Sequence, residues 1–340
     1  MTNRQIRLGI NGFGRIGRLI LRAISKNNYP NLKVVSINST GDPKTNAHLL
    51  KYDSTYGVFN ADIETSKEFL IVNGNKITCL TNEEPALIPW GEQDVDIVFE
   101  CTGKFTSKDK ALGHLESSPR KVIISAPAKD EDITLVLGVN EADYDPKSHH
   151  IISNASCTTN CVAPLIKVLD DNFGISAAMM TTIHAYTNDQ QVLDKRHKDL
   201  RRARAAASNI IPTTTGAAKA VGKVIPNLEG KVHGMAFRVP TASVSVTDVV
   251  SNLITPASVE EINAAYETAS KETMRGILDF NMEPLVSSDY RKNPYSCIVD
   301  GLSTIALDTN MVKTVGWYDN EWGYSMRTIE LAQYVAGKGL

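Results

Sequence analysis

The chain has no apolar run near the roughly 20 residues that a bilayer-spanning helix needs, which argues against a membrane-embedded role. Cysteine is scarce and odd in number, five in 340 residues, so a disulfide framework is not expected and reduced thiols are. Excess charge is missing too. A formal net charge of -2 argues against a general nucleic-acid or membrane-surface binder. Cys157 and Cys161 lie four apart with no further Cys or His ligands near them, so no metal site is expected. There is no internal repeat, low-complexity tract or disordered linker, and Met1 to Gln5 lead into a strand without a signal-peptide layout. The expectation is a cytoplasmic protein. What is present, 42% hydrophobic and 22% charged residues, describes a globular chain long enough for two domains.

The first half alternates short β-rich runs with amphipathic stretches. Strands are expected at 6–10, 32–38, 97–100, 122–125 and 135–137, and helices at 14–26 and 108–116. This βαβ rhythm implies a Rossmann-type doubly wound parallel sheet. Beyond Cys157 a helix is expected over 162–171. Longer alternating strands follow at 177–184, 234–239, 243–250, 304–308 and 311–318. That texture implies a second, α+β catalytic domain on a mostly antiparallel sheet. The expected division is a dinucleotide-binding domain at 1–156 and a catalytic domain at 157–322, with a helix over 323–340 packing back on the first. The polar stretch 186–210 is a long loop inside the second domain, and loops of that length usually carry function.

Residues 11–18, Asn-Gly-Phe-Gly-Arg-Ile-Gly-Arg, hold G-x-G-x-x-G between the first strand and the first helix. Each glycine has a task there: Gly12 for a tight turn, Gly14 for close approach of a pyrophosphate, Gly17 for helix-sheet packing. Nicotinamide enzymes of this build usually carry an acid at the end of the second strand to bind the ribose hydroxyls. Here the positions are Ser39 and Thr40. An acid would repel a 2'-phosphate, whereas these hydroxyls can donate to one, which moves the expected cofactor from NAD toward NADP.

Cys157 lies in the run Ser153-Asn154-Ala155-Ser156-Cys157-Thr158-Thr159-Asn160-Cys161, read as strand end, polar turn and first helical turn. Cysteine is more often a buried apolar residue than a reactive one. At a helix N-terminus, however, the dipole favours thiolate, and small hydroxyl residues can cap the helix and donate to an anion. His184 ends the expected strand at 177–184, where an imidazole could face that turn and act as a base.

With these features together, the chain resembles phosphorylating glyceraldehyde-3-phosphate dehydrogenase over essentially its whole length. The matching segments are 11–18, 48–54 (His-Leu-Leu-Lys-Tyr-Asp-Ser), 124–129 (Ile-Ser-Ala-Pro-Ala-Lys), 153–161, 200–205, 212–217 and 317–325. The resemblance implies that Cys157 is the nucleophile and His184 its base. The aldehyde would form a thiohemiacetal, lose hydride to NADP or NAD, and leave as 1,3-bisphosphoglycerate when inorganic phosphate attacks the thioester. It implies cofactor contacts at Gly12, Gly14, Arg15, Ile16, Gly17, Ser39, Thr40, Thr102, Ser125 and Asn320, with Tyr324 near the last. Thr187, Asp189 and Arg238 are implied for the phosphate of glyceraldehyde 3-phosphate. Ser156, Thr158, Arg202, Thr215 and Gly216 are implied for inorganic phosphate. A homotetramer is implied, with a place in glycolysis or gluconeogenesis.

The sequence departs from the NAD-dependent family pattern at Lys195 and Arg196, where that pattern has Leu-Pro. The family's loop reaches a neighbouring subunit's cofactor at its adenosine end, so two cations there imply NADP preference or dual use. A family arginine that assists NADP, near Asn82 and Glu83, has no counterpart. Erythrose-4-phosphate dehydrogenase keeps the Cys/His pair but releases its thioester to water, and the hydroxyl-rich run at 211–216 favours the phosphorylating reaction over it. A thiol hydrolase has no use for the nucleotide fingerprint, and a nucleic-acid binder using the basic 195–204 stretch is at most secondary.

Overall fold

The computed structural model describes residues 5–26, 29–308 and 310–340. The chain divides into two compact units, one of residues 1–135, 142–155 and 325–340, the other of 136–141 and 156–324.

The first unit contains β1 (Ile6–Asn11), α1 (Arg15–Ile24), β2 (Leu32–Asn38), α2 (Pro43–Lys51), β3 (Ile63–Thr65), β4 (Phe69–Val72) and β5 (Asn75–Leu80). It continues with β6 (Ile97–Glu100), α3 (Lys108–Ala111), β7 (Lys121–Ile124), β8 (Ile133–Thr134) and β9 (Ile151–Ser153). These strands form one sheet in the order β3-β4-β5-β2-β1-β6-β7-β9-β8. Every neighbouring pair from β5 to β8 is parallel, and β3-β4 and β4-β5 are antiparallel. Strands β2, β6 and β7 are nearly continuous apolar runs, as two-sided burial in a parallel sheet requires. The order reverses around β1, which leads to β2 on one side and has β6 on the other. Such a reversal opens a crevice at the carboxyl ends of the strands.

The second unit contains α4 (Cys157–Phe173), β10 (Ile175–Ala185), β11 (Ile211–Thr213), α5 (Ala217–Val224), β12 (Val232–Val239), β13 (Ser245–Leu253) and α6 (Val259–Lys271). Then come β14 (Leu278–Asn281), β15 (Cys297–Asp300), β16 (Ile305–Leu307) and β17 (Met311–Tyr318), followed by α7 (Trp322–Lys338), which belongs to the first unit from Ser325 onward. The sheet order is β11-β12-β10-β13-β17-β15-β14, with β16 on β17. Only β10-β12 and β14-β15 are parallel. Strand β17 alternates partly exposed and buried residues along its length, the pattern of a sheet with one covered face. α6 begins with a full capping box, the Ser258 hydroxyl accepting from Glu261 N–H while Glu261 accepts from Ser258 N–H.

Two local expectations fail. Residues 135–137 are not a strand: Leu135, Val136 and Leu137 are apolar because they are buried, and the Val136 N–H is taken by the Asn140 side chain in a turn. The helix expected at 108–116 is α-helical only to Ala111 and tightens to a 3₁₀ turn over Leu112–Ser117. There Gly113 lies so close to Ala86 that a Cβ would stand 2.8 Å from its backbone nitrogen.

Candidate active site

In the first unit, the ends of β1, β2 and β6 open into a cleft of about 580 Å³ whose lining includes Gly12, Gly14, Ser39, Thr40 and Thr102. Gly12 has φ +93, and a Cβ on it would stand 2.6 Å from Thr102 N. A Cβ on Gly17 would stand 2.4 Å from the Gly12 carbonyl oxygen. Neither position can carry a side chain. At Gly14 a Cβ would meet nothing within 4 Å, so the space above it is open to a ligand. Gly14 caps α1 without a side-chain bond, and the N–H groups that open a helix point along its axis, here toward that space. This arrangement fits a pyrophosphate.

The Arg15 guanidinium is tied to Asp53 and lies 5.5 Å from the Tyr56 ring centre, so its side chain belongs to the scaffold. Ser39 accepts from Gly41 N–H at 3.1 Å. The end of β2 bears no acid, yet Glu83 and Glu84 line the same cleft, as does Lys104. Ser125, after β7, donates through both its N–H and its hydroxyl to the Glu100 carbonyl.

In the second unit, Cys157 is the first residue of α4. Ala155, at φ +53, turns the chain into it, and the Ser156 hydroxyl caps it by accepting from Thr159 N–H at 3.0 Å. His184 lies at the end of β10, and its Nε2 stands 3.4 Å from Cys157 Sγ. On the other side of the ring, Nδ1 is 2.6 Å from the Ala185 carbonyl oxygen. A carbonyl can only accept, so Nδ1 carries the hydrogen and Nε2 presents its lone pair to the thiol. That is the orientation of a base.

Burial pushes the Cys157 thiol up to about 11, against the pull of the Arg238 charge and the Thr158 donors. Burial, then the Arg238 charge, push His184 down to about 3. Burial thus works against the charged form of both groups, opposing the thiolate that a helix N-terminus and the Arg238 charge favour.

Arg238, on β12, places Nη1 3.3 Å from His184 Nδ1, 3.3 Å from the Ala185 carbonyl and 3.0 Å from the Thr187 hydroxyl. Its Nε is buried without a hydrogen-bond partner among the described residues. Thr187 donates to Asp189, and Asp189 pairs with Arg202. Burial raises the Asp189 carboxyl, but Thr187, Arg238 and Arg202 outweigh it and hold it below its ordinary value. Arg202 also donates to the Thr213 hydroxyl at 2.9 Å and the Thr214 carbonyl at 3.1 Å. Arg202 Nε also lies 3.8 Å from Asp199, so two carboxylates face two guanidinium groups, and Arg238, whose Nε has no bond among the described residues, is the group with donors to spare for an anion.

The structure thus joins Cys157, His184, Thr187, Asp189, Arg202 and Arg238 by direct contacts. Thr215 accepts from Ala217 N–H, and Gly216 caps α5 with no side-chain bond. The Thr158 hydroxyl meets the Tyr318 hydroxyl at 2.9 Å. Asn320 accepts from the Ser245 hydroxyl at 3.0 Å, and Tyr324 is buried. Lys195 and Arg196 are exposed on the 186–210 loop, which is tied back by an Asp194–Arg204 ion pair.

Two residues escaped the sequence reading. Tyr318 bridges Thr158 and Thr182 at 2.9 Å each and sets its ring edge-on to His184. Ser245 accepts from Ala185 N–H while donating to Asn320. Their only sequence signal is a place at a strand end.

Residues 6–108 match the family description "Glyceraldehyde 3-phosphate dehydrogenase, NAD binding domain", and residues 156–320 match "Glyceraldehyde 3-phosphate dehydrogenase, C-terminal domain". The chain is 56% identical over 335 residues to the glyceraldehyde-3-phosphate dehydrogenase of Geobacillus stearothermophilus, covering 98% of this chain and 99% of that protein. The chain belongs to the glyceraldehyde-3-phosphate dehydrogenase family. Identity is 52% to glyceraldehyde-3-phosphate dehydrogenase 2 of Bacillus subtilis (strain 168), over 98% of each chain. It is also 52% to glyceraldehyde-3-phosphate dehydrogenase 2 of Trichormus variabilis, over 98% of this chain and 99% of that one. Family membership makes the chain an oxidoreductase, and the first match indicates a nicotinamide cofactor. Among the described residues, no helix is long and apolar enough to cross a membrane and no His, Cys, Asp and Glu group could hold a metal.

Proposed function

We propose that this chain catalyses the reversible oxidative phosphorylation of D-glyceraldehyde 3-phosphate to 1,3-bisphosphoglycerate, with NADP or with both NADP and NAD. The observation that carries the reading is the imidazole lone pair 3.4 Å from the Cys157 sulfur. As the sulfur adds to the aldehyde carbon, its proton passes to His184 Nε2 and from there to the carbonyl oxygen, which becomes the thiohemiacetal hydroxyl, while Arg238 and Thr187 hold the substrate's phosphate. When bound in the cleft, a nicotinamide dinucleotide would supply the hydride acceptor. His184 takes the hydroxyl proton as the thiohemiacetal becomes a thioester on Cys157. Arg202, Ser156, Thr158, Thr215 and the N–H groups at Gly216 receive inorganic phosphate, whose attack frees the sulfur. Turnover that requires phosphate supports this reaction, and thioester release to water without it favours erythrose 4-phosphate oxidation instead.

The NADP preference rests on two features. No acid follows β2 at Ser39 and Thr40, and Lys195 and Arg196 stand exposed on the loop that would reach a neighbouring subunit's cofactor. Glu83 and Glu84 act against it, so the two cations carry the selectivity. Val192, Leu193 and Leu200 of the same loop are 84%, 77% and 82% exposed, a patch that suits burial in a homotetramer. We place the protein in the cytoplasm, in keeping with five free thiols. Steady-state kcat/KM for the two cofactors tests the preference. A clear bias toward NAD, unchanged when Lys195 and Arg196 become Leu and Pro, overturns it.

A further inference from the structure

Beneath the nucleotide cleft lies a chain of buried polar groups that the reaction does not use. Glu100 ends β6 and is 1% exposed, with His114 and Trp90 beside it at 0%. No cation pairs with the Glu100 carboxylate in this network; four donors reach it instead. Asn11 Nδ2 donates to Oε2 at 2.5 Å, His114 Nε2 meets the same oxygen at 3.0 Å, and Thr102 N–H donates to Oε1 at 2.7 Å. The Thr102 hydroxyl donates to Oε1 as well.

The chain extends in both directions from there. Trp90 Nε1–H donates to His114 Nδ1 at 3.1 Å. An indole nitrogen only donates, so His114 Nδ1 accepts and its hydrogen sits on Nε2, toward Glu100. On the other side, Asn38 Nδ2 donates to Asn11 Oδ1 at 2.7 Å, and Asn82 N–H donates to Asn38 Oδ1 at 2.9 Å. Asn38 Nδ2 also donates to the Asn82 carbonyl at 2.8 Å, so the Asn82 backbone fixes which way the Asn38 amide faces, and the remaining bonds from Trp90 and from Asn82 point toward one carboxylate. Asn11, Asn38, Asn82 and Thr102 all line the cleft, at the ends of four neighbouring strands or just beyond them.

We propose that Glu100 is the positioning residue of the dinucleotide cleft, orienting its floor from Thr102 to Asn82 and thereby setting the affinity for a nicotinamide dinucleotide. The inference rests on the reading of the cleft given above. Its logic is that of a convergent network. Glutamine in place of Glu100 has the same shape, but its amide N–H₂ would oppose either Thr102 N–H or the Asn11 and His114 donors. Asn11 could turn over to accept from it, but its own N–H₂ would then face Asn38 Nδ2. The mismatch moves to the far end of the cleft rather than disappearing.

The test uses the full chain. Titration calorimetry measures NAD and NADP binding to wild type and Glu100→Gln, and iodoacetamide alkylation of Cys157 is timed in the ligand-free proteins. The expected result is dinucleotide affinity weaker by about tenfold or more, with the alkylation rate within about twofold of wild type. Should Glu100→Gln not fold, Trp90→Phe, which removes one neutral donor at the end of the chain, is expected to weaken binding by roughly two- to fivefold with the same unchanged alkylation. Folded variants that bind within experimental error of wild type overturn the proposal. So does an equal loss of binding and alkylation, which marks general loosening. Failure of wild type itself to bind either dinucleotide refutes the functional reading instead.

Discussion

The two units each bury a histidine against a reactive-looking neighbour, and the two differ in what is left over. His114 has both ring nitrogens taken by fixed partners, the Trp90 N–H and the Glu100 carboxylate. His184 has one nitrogen fixed by the Ala185 carbonyl and the other aimed at a sulfur, with a guanidinium 3.3 Å from the ring. A proton can move from Cys157 to His184 without breaking an existing tie. At His114 any such movement must break one. Burial alone does not distinguish a base from a strut; the spare lone pair does.

Substitutions at the two histidines and at their partners separate the base from the strut. Cys157→Ser removes the nucleophile, and turnover is expected to fall by about 10⁴ or more in kcat; residual activity within tenfold of wild type would move the chemistry elsewhere. His184→Asn is expected to cost roughly 10² to 10⁴ in kcat/KM and to slow alkylation of Cys157. His114→Asn should leave that alkylation rate nearly unchanged, so equal slowing in both variants would erase the distinction.

Arg238→Gln removes the charge that helps hold His184 at about 3, so the His184 titration followed by NMR should move up toward the ordinary histidine value near 6.5. The same residue sets an acid limit to stability. His184 is depressed in the folded chain, so between about pH 6.5 and 3 the unfolded chain binds more protons there. Its contribution is complete above 6.5 and is lost as pH falls, by up to about 1.4 kcal/mol per pH unit within that window. Denaturant unfolding from pH 7 to 4 should show wild type losing more stability than His184→Asn. The smallest effect is expected at the cofactor loop, where replacing Lys195 and Arg196 by Leu-Pro should shift the NADP to NAD ratio of kcat/KM by about tenfold.

Much of this architecture was legible in the chain because its signals are local. β2, β6 and β17 run over the expected 32–38, 97–100 and 311–318, since short, mostly apolar runs and clean alternation leave one assignment each. The glycine turn was readable because three contacts each forbid or leave open a Cβ. The stretch at 135–137 misled because burial without strand pairing writes the same letters as a buried strand. Within the candidate site, the residues themselves pointed to Cys157 and its neighbours and to His184 at a strand end, whereas Thr187, Asp189, Arg202 and Arg238 were named through the resemblance. Glu100, His114 and Trp90 share no spacing that a helix or strand would impose, and Tyr318 and Ser245 meet their partners through long-range register alone. Such networks are made by topology, so a linear reading passes over them. At Cys157 the helix N-terminus that favours a thiolate is visible in sequence, while the burial that opposes it is not.

The most direct measurement is mass spectrometry of the intact chain, quenched in acid after mixing with glyceraldehyde 3-phosphate and NADP or NAD without inorganic phosphate. The account requires an acyl adduct on Cys157 that disappears when phosphate is added before the quench and never forms in Cys157→Ser. Cofactor reduction with no adduct, or an adduct on another residue, would contradict it.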